Sequence, residues 1–158
     1  EVDFAAINAS TDIRIHISAT NLRTGQARIF SSGELTAELL MTSAWVAKRL
    51  DAKLSENFGL LPRRPSTITP VPEALAPFYT AGRGGLGSCQ MNTYDLPSRP
   101  LYNIPALTLH ECAPGHSMQA ALSAEQQGIP AFRRSTYFSG YGEGWCLYTE
   151  WLGVEMGI

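Results

Sequence analysis

Near the start of the chain, Ile13, Ile15 and Ile17 alternate with Arg14, His16 and Ser18, the period of two that marks a strand with one face buried. Turn-forming residues from Asn21 to Gly25 follow, and Ala27 to Phe30 form a second short run, so a β-hairpin is expected. Ser31, Ser32 and Gly33 then precede Glu34, and Leu35, Leu39, Leu40, Val46 and Leu50 recur at helical spacings. That pattern predicts a helix, or a pair of helices, over residues 34–58, with Gly59 closing it. Pro62, Pro65, Pro70, Pro72 and Pro77 keep the next stretch extended or turning. Glycines at 82, 84, 85 and 87 lead into Ser88 to Thr93, whose composition predicts an exposed strand. After an irregular connector from Pro100 to Pro105, two helices are predicted, over Ala106 to Ala121 and Gly142 to Met156. The fold class is therefore mainly α with minor β.

Composition narrows the partners. With 158 residues, 44% hydrophobic and 16% charged, the chain has the profile of one globular domain with a modest core. Its net charge of -2, with arginines and lysines scattered, offers no footprint for nucleic acid or an anionic membrane. Apolar runs fall far short of the roughly 20 residues a membrane span needs, and no basic-then-apolar segment opens the chain. Cys89, Cys112 and Cys146 are odd in number, widely spaced and without a CxxC. They are read as small buried or half-buried thiols, not as a disulfide framework or a thiolate zinc knuckle.

Candidate chemistry concentrates in Leu107-Thr108-Leu109-His110-Glu111-Cys112-Ala113-Pro114-Gly115-His116, which holds two of the three histidines. A metallohydrolase needs two imidazoles on one ion and a carboxylate beside them to take a proton from water, and His110, Glu111 and His116 supply those groups in order. In HExxH the histidines lie one helical turn apart. A separation of six instead rotates the second ring by about 240° on a regular helix. Pro114 cannot donate to the carbonyl of His110 and Gly115 tolerates distortion, so a bulged or widened turn is expected to bring His116 to the same ion. A catalytic zinc site needs a third protein donor. Glu143 is assigned to the metal, and Glu150, seven residues on and on the same helix face, is assigned to orient an imidazole. Trp145, Tyr148 and Trp151 are read as packing. Tyr137, Tyr141 and Tyr148 are local candidates for an oxyanion donor, with nothing to select among them.

These residues carry a resemblance. From about Ala44 to Ile158 the chain resembles the large bacterial family catalogued as domain of unknown function 885, which carries HExxPGH followed by EGWxLYxE. "PALTLHECAPGHSMQ" and "YGEGWCLYTEWLGVEMG" match its two hallmark segments, and "NTYDLPSRPLYNIPALTLHE" matches its run-in. The resemblance implies part of a gluzincin-like helical metallopeptidase fold with Zn2+ as cofactor, similar in logic to thimet-oligopeptidase-like and carboxypeptidase Taq-like enzymes. There a further acidic residue seven beyond the glutamate ligand supports the site. It also implies a peptide or small amide substrate, and the strand around Gly87 to Thr93 is a candidate edge for pairing with it. Family members are mostly several hundred residues long, so the resemblance implies that substrate-binding groups are to be expected from a segment beyond the second motif.

The opening segment, "DFAAINASTDIRIHISATNLRTGQARIFSSGELTAELLMTSA", instead resembles an internal piece of bacterial patatin-like phospholipases. The expected organisation is thus a patatin-like fragment over 1–44 and a partial metallopeptidase-like domain over 45–158, with Ile13, Ile15, Ile17 and Phe30 more exposed than their pattern suggests. Neither GxSxG nor DGG or DGA occurs in the chain. The function expected is a zinc-dependent hydrolase, with a truncated non-catalytic or inert remnant as the alternative and lipid acyl hydrolysis as a lesser one.

Overall fold

The computed structural model describes the backbone of residues 16–20 and 27–158, with side chains from residue 38 onward. The chain divides into two compact units, residues 1–38 and 39–158. In the first, β1 (His16–Thr20) pairs antiparallel with β2 (Ala27–Ser31), His16 opposite Ser31 and Thr20 opposite Ala27. The expected hairpin is present. Ile13 and Ile15 lie outside the described residues, as do the side chains of Ile17 and Phe30.

α1 (Ser32–Asn57) is one helix, not a pair. No glycine or proline interrupts residues 34–58, which explains the continuity. In the second unit its Leu39, Val46, Leu50 and Leu54 form one buried stripe. Val46, Leu50 and Leu54 pack with Leu109, Met118 and Met156, while Leu39 joins Cys89, Met91, Ile104 and Cys112. Fully burying each large aliphatic side chain contributes about 1.5–3 kcal/mol, so these clusters hold α1 against the segments that carry His110 and His116.

The proline-rich stretch contributes one short strand, β3 (Thr67–Pro70). It runs parallel to β5 (Ser88–Met91), and β4 (Gly82–Gly85) pairs antiparallel on the other side. The order β3-β5-β4 corrects the expectation of an exposed strand at 88–93. Both edges of β5 are paired and Cys89 and Met91 are fully buried, so β5 has no free edge for a substrate. Buried Asn92 shapes the loop before β4: its amide donates to the carbonyls of Ala76 at 2.9 Å and Thr80 at 3.0 Å, and its oxygen accepts from the Tyr94 N–H at 2.9 Å.

Four helices follow: α2 (Ile104–Glu111), α3 (His116–Glu125), α4 (Ala131–Ser135) and α5 (Ser139–Glu155). The single helix predicted over 106–121 is therefore two, and the bulge expected at Pro114 is a full break. α2 ends where Cys112 leaves helical geometry at φ -93° and ψ -110°, and the chain restarts at His116 after Gly115 at φ -72° and ψ -140°. The physical reason is close approach: a methyl group at Gly115 would overlap the carbonyl of His110. The N–H groups of Ser117 and Met118 turn back to the Cys112 carbonyl at 3.1 and 3.3 Å.

A disulfide links Cys89 to Cys112, correcting the reading of three separate thiols; Cys146 remains free and buried. The bond ties β5 to the residue that follows Glu111. Bridging a separation of 23 residues stabilises by about 3 kcal/mol if the unfolded chain loses loop entropy as expected. Replacing both cysteines by alanine should therefore lower the denaturant midpoint and, because the uncrosslinked chain unfolds further, steepen the slope; an unchanged midpoint would show that the cross-link adds nothing. Among the described residues, no helix is long and apolar enough to cross a membrane.

Candidate metal centre

The break between α2 and α3 solves the spacing problem. His110 sits in the last turn of α2 and His116 is the first residue of α3, so each ring leaves from a different helix. Their ring centroids are 4.9 Å apart, with planes at 78°. α5 packs against α2: a buried Thr149 hydroxyl contacts the Leu109 carbonyl at 3.3 Å, and the Trp145 indole N–H donates to the Pro114 carbonyl at 2.8 Å. This docking brings Glu143 to both histidines. Its Oε2 lies 3.3 Å from His110 Nε2 and 3.5 Å from His116 Nε2.

Glu150, two turns further along α5, meets the other side of the first ring, with Oε1 2.6 Å from His110 Nδ1. That contact places a carboxylate acceptor at Nδ1, so the ring meets Glu150 through Nδ1 and Glu143 through Nε2. Glu111 is 8% exposed, and its Oε2 accepts the Gly84 N–H at 2.6 Å. Burial raises its carboxyl above the ordinary value, against the opposing pull of the Gly84 N–H and the two imidazoles. β4 can lie so close only because it is glycine-rich: a methyl at Gly84 would overlap the Glu111 carbonyl and crowd His116 Cβ. The Ser117 hydroxyl completes the seam, 2.6 Å from the Ser88 carbonyl and 2.9 Å from the Glu111 carbonyl.

The three tyrosines separate. Tyr137 donates its hydroxyl to Glu143 Oε1 and has its ring 6.3 Å from that of His116. Burial, followed by the hydrogen bond and charge of Glu143, raises the phenol, while the same hydrogen bond is the main cause holding Glu143 below the usual carboxylate range. Tyr141 is exposed, and the Tyr148 ring lies between those of Trp145 and Trp151, tilted against both, at centroid distances of 6.0 and 5.8 Å. Among the described residues neither of these two hydroxyls makes a hydrogen bond to the histidine cluster.

Sequence reasoning missed Cys146. His110, His116 and Cys146 have donor atoms within 4.8 Å of one another and form a group that could hold a metal. The cysteine is fully buried beneath the cluster, and burial pushes its thiol up to about 12. Its place three residues after Glu143 in the second motif was the available signal.

No curated protein sequence matches the chain. Among solved structures it is similar to the "putative lipoprotein" from Colwellia psychrerythraea, with a TM-score of 0.74 and 23% sequence identity. The match covers 98% of this chain and 26% of that one, so this chain spans about a quarter of its relative's length. At that identity the likeness shows a shared fold. The model of the family described as "Bacterial protein of unknown function (DUF885)" matches residues 4–158, which includes the opening segment, and the chain belongs to that family.

Proposed function

We propose that this chain carries the catalytic centre of a zinc-dependent hydrolase that cleaves peptide or small amide bonds, with His110, His116 and Glu143 as ligands and Glu111 as general base. The observation that carries the reading is the donor spacing. Donors about 2.0–2.1 Å from a tetrahedral zinc stand about 3.3 Å from one another, and the Glu143 oxygen stands 3.3 and 3.5 Å from the two imidazole nitrogens. Cys146 is the competing third donor. Glu143 is preferred because it is already charged, whereas the buried thiol must first lose a proton to ligate.

A zinc ion held by this set would lower the pKa of a bound water towards about 7 and polarise the scissile carbonyl. Glu111 takes the proton of the attacking water and passes it to the leaving amine. Because Gly84 occupies its Oε2, the proton is held at Oε1. Desolvation strengthens that carboxylate as a base. Glu150 keeps His110 in the tautomer that offers Nε2.

A metal-binding but catalytically silent unit is the second reading. Tyr137 is committed to Glu143, and among the described residues neither Tyr141 nor Tyr148 has a hydrogen bond to the histidine cluster, so none of the three is singled out as a donor to a developing oxyanion. Elemental analysis joined to a peptide hydrolysis assay separates the readings. Stoichiometric zinc with chelator-sensitive hydrolysis supports the enzyme, zinc without hydrolysis supports the silent unit, and no zinc overturns both. In the same experiment Glu143→Ala should lose zinc and Cys146→Ser should keep it; the reverse would transfer the third ligand to the cysteine.

A further inference from the structure

Tyr137 lies outside α5, in the connector from α4, yet its side chain crosses onto that helix beside the site. The crossing depends on a missing side chain. Gly142 is buried, and a methyl there would overlap the Tyr137 ring and hydroxyl. Glycine in a helix interior is normally unfavourable by roughly 0.5–1 kcal/mol relative to alanine, so its presence here calls for a packing reason, and the phenol supplies one. The seat fixes where the hydroxyl goes. It donates to Oε1 of Glu143, while Oε2 of the same carboxylate is the atom 3.3 and 3.5 Å from the two imidazoles.

We propose that Tyr137 is a positioning residue that occupies one oxygen of Glu143 and so presents the other as a single-oxygen metal ligand. The proposal rests on the metal-centre reading given above. It replaces the expectation that this tyrosine is an oxyanion donor, because a hydroxyl that serves the ligand is not free for the substrate. A carboxylate released from this contact has both oxygens available, so it can turn and bind through two, using up the open coordination position that a catalytic zinc keeps. Partners that hold a ligand in this way typically account for 10–100-fold in metal affinity.

The test uses the whole chain with zinc, and with cobalt(II) as a spectroscopic substitute. Tyr137→Phe removes only the hydroxyl and should lower apparent zinc affinity by about 10–100-fold in chelator competition. It should also weaken the visible absorption of the cobalt form as coordination rises above four. Gly142→Ala, which evicts the ring, should reproduce the cobalt change; a thermal melt of each variant identifies loss of fold. A phenylalanine variant with parental zinc affinity and cobalt spectrum overturns the assignment to Tyr137 while leaving the metal centre intact. A parental chain that binds neither ion overturns the metal centre and this proposal together.

Discussion

Replacing Glu111 by glutamine is expected to leave zinc content at one per chain and to lower peptide hydrolysis by about 10²–10⁴-fold. The amide keeps the size of the side chain and an oxygen for the Gly84 N–H, so the seam between α2 and β4 should survive. What it loses is a basic oxygen for the proton of water. His110→Ala and His116→Ala make the opposite comparison, since each removes a donor from the proposed three-residue set and should lose zinc and hydrolysis together. Elemental analysis and initial rates on the same preparations decide the matter. A glutamine variant working near the parental rate would take the base assignment away from Glu111.

Gly84→Ala and Gly115→Ala form the second large prediction. At both sites the added methyl meets backbone, the carbonyl of Glu111 in one case and of His110 in the other. No rotamer change relieves such an overlap, so a loss of about 3 kcal/mol is expected, at the upper end for overpacked interiors. Each variant should also bind zinc more weakly, because β4 must move off Glu111 and His116, or the Gly115 loop off His110. Gly144→Ala is the control. It lies inside α5 with nothing near the added methyl, and should raise stability by about 0.5–1 kcal/mol. Thermal or denaturant unfolding of the three variants reads the contrast, and equal effects at 84, 115 and 144 would show that close approach does not matter here.

Local periodicity made α1 and α5 legible, because a stripe such as Val46, Leu50 and Leu54 records its own burial. His110, Glu111, His116, Glu143 and Glu150 were singled out by residue type and spacing, and the structure brings the Glu143 carboxylate to both imidazoles and that of Glu150 to His110. What lay beyond the sequence was tertiary. Pro114 and Gly115 announce a distortion, but whether the chain bulges or breaks is decided by Gly115 lying on the His110 carbonyl and by Trp145 of α5 holding Pro114. β5 was legible as a strand but not as a central one, because its second edge is covered by β3, whose residues in the proline-rich stretch carry no strand pattern. The Cys89–Cys112 bond joins β5 to the end of α2, a tertiary approach that no cysteine spacing encodes. That Tyr137 is the tyrosine that reaches Glu143 depends on Gly142 leaving room for its ring, which residue order alone does not convey.

The interruption at Cys112 to Gly115 leaves α2 and α3 as separate rods, with Glu143 reaching both from α5. A single ion gripping the three would be a clasp, and its binding energy would count directly towards cohesion of the whole trio. Amide exchange in all three rods should then slow in concert on loading, and an emptied chain should unzip first where the two imidazoles part.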